Sequence, residues 1–109
     1  MARFSDYAVR GCPPEIMGIG PAVAIPALLE KTGRKVADID IWEINEAFAS
    51  QATYCIEKLG ISKSKLNPKG GALALGHPLG CTGSRQIATL LPEMHRTGAK
   101  TAVVSMCIG

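Results

Sequence analysis

Three residues of this 109-residue chain combine reactive chemistry with a place where the apolar pattern breaks: Asn45, His77 and Cys107. His77 lies in the stretch GHPLGCTG, residues 76–83. Glycines on both sides let backbone N–H groups approach a ligand, and the helical pattern that follows points its positive end back at the loop. That field disfavours imidazolium, and neutral imidazole is what a general base or a hydrogen-bond donor to an oxyanion requires. The competing reading is a turn histidine exposed to water. A third pairs His77 with Cys81 as metal ligands. Pro78 and Gly80 interrupt any helix between those two, however, and His95 and the other cysteines supply no ligand spacing, so no metal is expected.

Asn45 stands where an apolar run meets a helical pattern, in EINEAFA, residues 43–49. It reads either as a helix N-cap or as a polar group presented to a ligand. Cys107 ends a β-rich run and is followed by Ile108 and Gly109. Most buried cysteines are inert small hydrophobes, whereas a thiol at a strand's carboxyl end beside a glycine N–H can be functional. Other ligand loops fail on spacing. Residues 76–84 lack the Gly-Lys-[Ser/Thr] ending of a phosphate loop, and Val23 stands where a dinucleotide fingerprint beginning at Gly18 wants its third glycine.

The elements that must hold these residues alternate. Residues 4–9 predict a strand leading into the rigid loop Gly11-Cys12-Pro13-Pro14. Residues 17–31 predict an apolar helix stopped at Gly33, which Pro26 allows only with a late start or a bend. Residues 39–44 predict a short buried strand. The spacing of Phe48, Ala52, Cys55, Ile56 and Leu59 predicts a helix stopped by Gly60. Ser62-Lys63-Ser64-Lys65 reads as a solvated loop, and Asn67-Pro68-Lys69-Gly70-Gly71 as a turn. A second amphipathic helix carries Ile87, Leu90, Leu91 and Met94 on one face to Gly98, with Pro92 predicting a kink or early end. Residues 101–107 predict a buried strand. Strand–helix–strand–helix–strand order implies an α/β layered domain with a largely parallel sheet, whose ligand sites lie at the carboxyl ends of the strands.

Composition narrows the class. With 47% hydrophobic and 19% charged residues, the chain fits one globular domain rather than a disordered segment. The net charge of +3 is spread along the sequence, which argues against a nucleic-acid patch. No run approaches the roughly 20 apolar residues that span a bilayer, and the first residues turn acidic before any hydrophobic region, so no signal peptide is expected. The four cysteines are far apart with no Cys-x-x-Cys pair, and reduced thiols are expected.

The ordered set NEAFA (45–49), GHP (76–78) and CIG (107–109), with the flanks CPPEIMGIGPAVAIPALLEKTG and NPKGGALALGHPLGCTGSRQ, closely resembles the C-terminal catalytic domain of thiolases. Within that family it resembles the 3-ketoacyl-CoA thiolase branch, especially its peroxisomal members. The resemblance covers essentially the whole chain. It implies a three-layer α/β/α fold with a mixed, mostly parallel sheet. It also implies acyl transfer in fatty-acid β-oxidation, in which CoA cleaves a 3-ketoacyl-CoA to acetyl-CoA and a shortened acyl-CoA. CoA enters as co-substrate and no bound cofactor is expected. Likewise implied are a peroxisomal location, a homodimer in the full-length protein, and neither nucleic-acid nor membrane partners.

By position, Cys107 matches the acid/base cysteine and His77 the histidine that activates the nucleophile and binds the thioester oxygen. Asn45 matches the asparagine that positions a water in the same oxyanion hole, and Gly109 the glycine whose N–H serves a second one. Such preorganised donors are what carbanion formation beside a thioester requires. A thiol base suits that chemistry when a dipole or imidazole draws its pKa towards neutrality. In the family the nucleophilic cysteine belongs to an N-terminal half and a final antiparallel strand follows the CIG glycine. Residues 1–109 are therefore expected to form a partial domain, lacking that strand and inactive alone. The alternative is a non-catalytic thiolase-like fragment serving as a CoA-binding or interaction module.

Overall fold

The computed structural model describes residues 2–108. A 3₁₀ turn, Pro14–Ile19, leads into helix α1, Gly20–Thr32. Strand β1 is Ile41–Ile44, helix α2 Ala49–Leu59, the one-turn helix α3 Ala72–Leu75, helix α4 Thr82–Thr97 and strand β2 Ala102–Ser105. Gly33, Gly60 and Gly98 close α1, α2 and α4 in the left-handed conformation, the three stops expected from sequence.

β1 and β2 pair in parallel, Ile41 opposite Ala102 and Ile44 opposite Ser105. Because side chains alternate along a strand, Trp42, Ile44 and Val103 share one face, and there they meet Ile25 and Leu29 of α1 with Ile39 and Ile61. The opposite face presents Glu43, which α4 covers through Arg85 and Gln86: Gln86 Nε2 donates to the Glu43 and Ser105 carbonyls at 3.2 and 3.3 Å. Helices therefore lie on both faces of a parallel sheet, as the α/β/α expectation required.

Three local expectations are corrected. Residues 4–9 form no strand; Phe4, Tyr7 and Val9 are largely exposed. A strand needs an edge to pair with, and this segment is held off the outer edge of β2 by a groove of about 830 Å³. Next, the buried positions of α4 are Thr82, Gln86, Leu90 and Glu93 rather than the apolar set Ile87, Leu90, Leu91 and Met94. The polar side chains of α4 turn inward because β1 offers Glu43 and backbone carbonyls on that face. The apolar ones line the groove beside β2 instead. Finally, Pro92 does not bring α4 to an early end: the helix runs on to Thr97. Pro26 and Pro92 both sit within α1 and α4 at exposed positions, on the solvent side where a helix bows outwards and a lost hydrogen bond is tolerated.

The other edge of β1 is closed without a third strand. Trp42 bridges to Leu66, and the Asn67 side chain then takes both backbone groups of Ile44: Oδ1 accepts from its N–H and Nδ2 donates to its carbonyl, each at 2.9 Å. Asn67 does this with φ of +41°, in the left-handed region that Asn tolerates better than most residues.

Candidate functional site

The carboxyl end of β1 delivers Asn45. Its N–H continues the ladder by donating to Ser105 O at 2.9 Å, so the residue is fixed by the sheet. Its side chain is not an N-cap. Helix α2 begins four residues later, with Phe48 at the cap position, and the capping reading is thereby set aside. The Asn45 amide is fully buried and points across to His77. Nδ2 lies 3.2 Å from His77 Nε2, while Oδ1 has no protein partner. A buried carbonyl oxygen without a partner is costly unless a water or ligand group meets it.

His77 comes from the loop between α3 and α4 and is exposed to solvent. Its ring is gripped from the other side: Nδ1 lies 2.5 Å from Thr82 Oγ1, in the first turn of α4. The Thr82 hydroxyl in turn donates to Pro78 O at 3.1 Å. The histidine is therefore held by both nitrogens, from α4 on one side and from the end of β1 on the other, which a turn filler would not need.

Two further residues place the pair. Glu46 Oε2 accepts from Leu73 N–H at 3.2 Å, satisfying an otherwise unpaired donor at the start of α3, and Oε1 accepts from Asn67 Nδ2 at 3.3 Å. Glu46 thus ties the end of β1 to the segment that carries His77. Gly71 passes so close to Glu46 that a β-carbon there would overlap the carboxylate. Glu46, Thr82 and Asn67 are site supports that the sequence motifs alone do not single out. The signals were present: an acidic residue after the strand, an Asn-Pro turn, and a hydroxyl five residues past the histidine.

Cys107 lies beyond the end of β2, buried against the amino end of α1. A β-carbon on Gly20 would come within 3.2 Å of the Cys107 Cα, so the close approach depends on glycine. No hydrogen bond links Cys107 to Asn45 or His77. Burial pushes its thiol up from the usual cysteine value, its own N–H opposes the rise, and Cys12 adds to it. Desolvation of the charged form thus outweighs the hydrogen bond from its own backbone N–H. Gly109 lies outside the described residues. Cys12, Cys55 and Cys81 are free thiols, with Cys81 exposed on the His77 loop. Among the described residues, no three His, Cys, Asp or Glu side chains converge as a metal site.

The site thus brings two of the four expected residues, Asn45 and His77, into contact, and sets Cys107 at the end of the neighbouring strand. Known proteins carry the same arrangement of sequence and fold. The chain is 70% identical over 105 residues to rat peroxisomal 3-ketoacyl-CoA thiolase B, 95% of this chain and 25% of that protein. It is 63% identical over all 109 residues to the peroxisomal 3-ketoacyl-CoA thiolase of Saccharomyces cerevisiae, spanning 26% of it. It is thus about a quarter the length of the curated relatives it matches. Among solved structures, that of the yeast peroxisomal enzyme, described as five-layered and built from two core domains of identical topology, superposes with a TM-score of 0.90 at 64% identity, covering 98% of this chain and 31% of that one. Human mitochondrial 3-ketoacyl-CoA thiolase gives 0.91 at 52% identity, covering 94% and 26%. The family model for the thiolase C-terminal domain matches residues 1–109 from end to end, and the chain belongs to the thiolase family through that domain.

Proposed function

We propose that this chain is the C-terminal part of a 3-ketoacyl-CoA thiolase acting in peroxisomal fatty-acid β-oxidation, with CoA and 3-ketoacyl-CoA as substrates and no bound cofactor. The observation that carries the reading is the buried Asn45 amide against the exposed face of His77, one oxygen of it unpartnered. In this reading His77 Nε2 takes the proton of a nucleophilic cysteine. Acylation of that cysteine breaks the Cα–Cβ bond of the 3-ketoacyl-CoA, and Cys107 protonates the departing acetyl-CoA carbanion. Cys107 thiolate then takes the proton of incoming CoA, whose sulfur accepts the acyl group. The Asn45 amide holds a water that, with His77, faces the developing oxyanion, and Gly109 N–H serves a second one.

The nucleophilic cysteine belongs to a second half, as the two-domain architecture of the yeast relative suggests. Two features support a missing neighbour. Leu79, Leu73 and Phe48 stand exposed around the His77 loop, and the groove beside β2 has the apolar walls that a further strand would fill. The homodimeric state and the completing strand are part of this proposal, the former because a solved yeast relative is described as dimeric. A second reading, a non-catalytic module for CoA or protein contacts, draws on the raised Cys107 thiol.

Assay of CoA-dependent cleavage of acetoacetyl-CoA separates the two. The 109-residue chain alone should show no turnover, and adding a polypeptide with the N-terminal half of a peroxisomal thiolase should restore turnover that His77→Ala abolishes. Turnover by the chain alone would refute the division of labour. A well-folded, correctly associated pair without turnover would favour the module.

A further inference from the structure

The hydrogen-bond directions around His77 can be followed from one fixed point. A threonine hydroxyl has one proton, and at Thr82 the Pro78 carbonyl takes it at 3.1 Å. The same oxygen lies 2.5 Å from His77 Nδ1 and must therefore accept, which places a proton on Nδ1. In the neutral ring Nε2 is then the lone-pair nitrogen, and it faces the Asn45 Nδ2 group, a donor, at 3.2 Å. All three contacts run one way: Asn45 to His77, His77 to Thr82, Thr82 to Pro78. The opposite tautomer would set Nε2–H against the Asn45 N–H donors, and would require Thr82 to leave the Pro78 carbonyl and turn to Nδ1. Thr82 is buried, so that turn would forfeit its bond to the Pro78 carbonyl, which would keep only the Cys81 N–H at 3.1 Å.

We infer that Thr82 is a positioning residue that keeps the neutral His77 proton on Nδ1 and so makes Nε2 the basic nitrogen. Its consequence for catalysis rests on the thiolase reading: a ring held this way can accept the nucleophile's proton on the atom nearest the buried amide without first exchanging tautomers. The tautomer itself does not depend on that reading.

Nitrogen-15 NMR of histidine-labelled chain tests it, since His77 and His95 are the two histidines and His77→Gln assigns the signals. At a pH where the ring is neutral, His77 should show a pyrrole-type Nδ1 and a pyridine-type Nε2. Thr82→Val should invert the ratio towards Nε2–H, Thr82→Ser should retain the native pattern, and Thr82→Cys, with its weak acceptor, should fall between. Should Thr82→Val fail to fold, the wild-type pattern and the graded Ser and Cys variants still decide. A pyrrole-type Nε2 in the wild type, or a native ratio surviving in folded Thr82→Val or Thr82→Cys, overturns the inference. Turnover in the complemented enzyme tests the thiolase reading separately, so the two can fail independently.

Discussion

Asn67 and Ile44 meet as two strands would: one side-chain amide satisfies both the N–H and the carbonyl of one strand residue, at 2.9 Å each. Ile44 immediately precedes Asn45, so this clamp fixes the backbone from which the site asparagine projects. Asn67→Ala leaves two buried backbone groups unpaired and should cost roughly 2–4 kcal/mol of unfolding free energy. Asn67→Asp keeps one acceptor but brings a charge beside Glu46 and should be no better. Urea denaturation of the three proteins checks this; an alanine variant within experimental error of wild type would show that water replaces the clamp.

Gly71 and Glu46 should couple. A β-carbon at Gly71 overlaps the Glu46 carboxylate and approaches Asn67 Nδ2 to 2.7 Å. Gly71→Ala should therefore destabilise by about 1–3 kcal/mol through overpacking, and part of that loss should vanish in the Glu46→Ala background. Purely additive losses in the double-mutant cycle would mean the clash is relieved elsewhere.

Stability should peak in mildly acidic solution. Burial raises the Glu43 carboxyl from 4.5 to about 7, with Glu46 adding and Arg85 opposing. A raised acid favours the folded state below its unfolded pKa. That advantage, about 3 kcal/mol, is lost as pH climbs from 4.5 through 7. Glu93 moves the other way, held near 2 first by its hydrogen bonds to Arg96 and then by Lys69. Its contribution is present above pH 4.5 and disappears as pH falls towards 2, and the lowered Asp6 and Asp40 act in the same direction. Urea midpoints measured across pH should rise, pass a maximum and fall. Glu43→Gln should flatten the upper limb alone and Glu93→Gln the lower limb.

The thiols should react in the order of their burial. Cys81 is exposed, whereas Cys55 and Cys107 are buried with thiols raised by desolvation. Brief iodoacetamide treatment of the native chain at neutral pH, read by peptide mass spectrometry, should label Cys81 first and Cys107 at least tenfold more slowly. Gly20→Ala, which presses on Cys107, should raise the Cys107 rate by loosening its packing. Equal labelling of Cys81 and Cys107 would contradict the buried placement.

What could be read from sequence was what depends on local chemistry. Glycine stops predicted three helix ends, and the order NEAFA, GHP, CIG predicted the family; that the Asn45 amide meets the His77 ring directly came from the structure. The strand over residues 4–9 was not legible, because strand formation depends on a neighbour that periodicity does not reveal. The rotation of α4 was hidden for a related reason. An apolar stripe usually turns inward, but Glu43 on the facing strand draws Gln86 and Arg85 instead. The burial that raises the Cys107 thiol is a tertiary property, set by the close approach of Gly20, that residue type and position do not reveal.

The Asn67 clamp also gives the sheet a direction of growth. With one flank of β1 sealed by a side chain, an added strand finds backbone partners only beside β2, like a polymer blocked at one end. Whatever completes this sheet must enter from that side, and Asn67 variants that unseal the blocked end should turn a one-way addition into a two-way one, with self-association as the visible result.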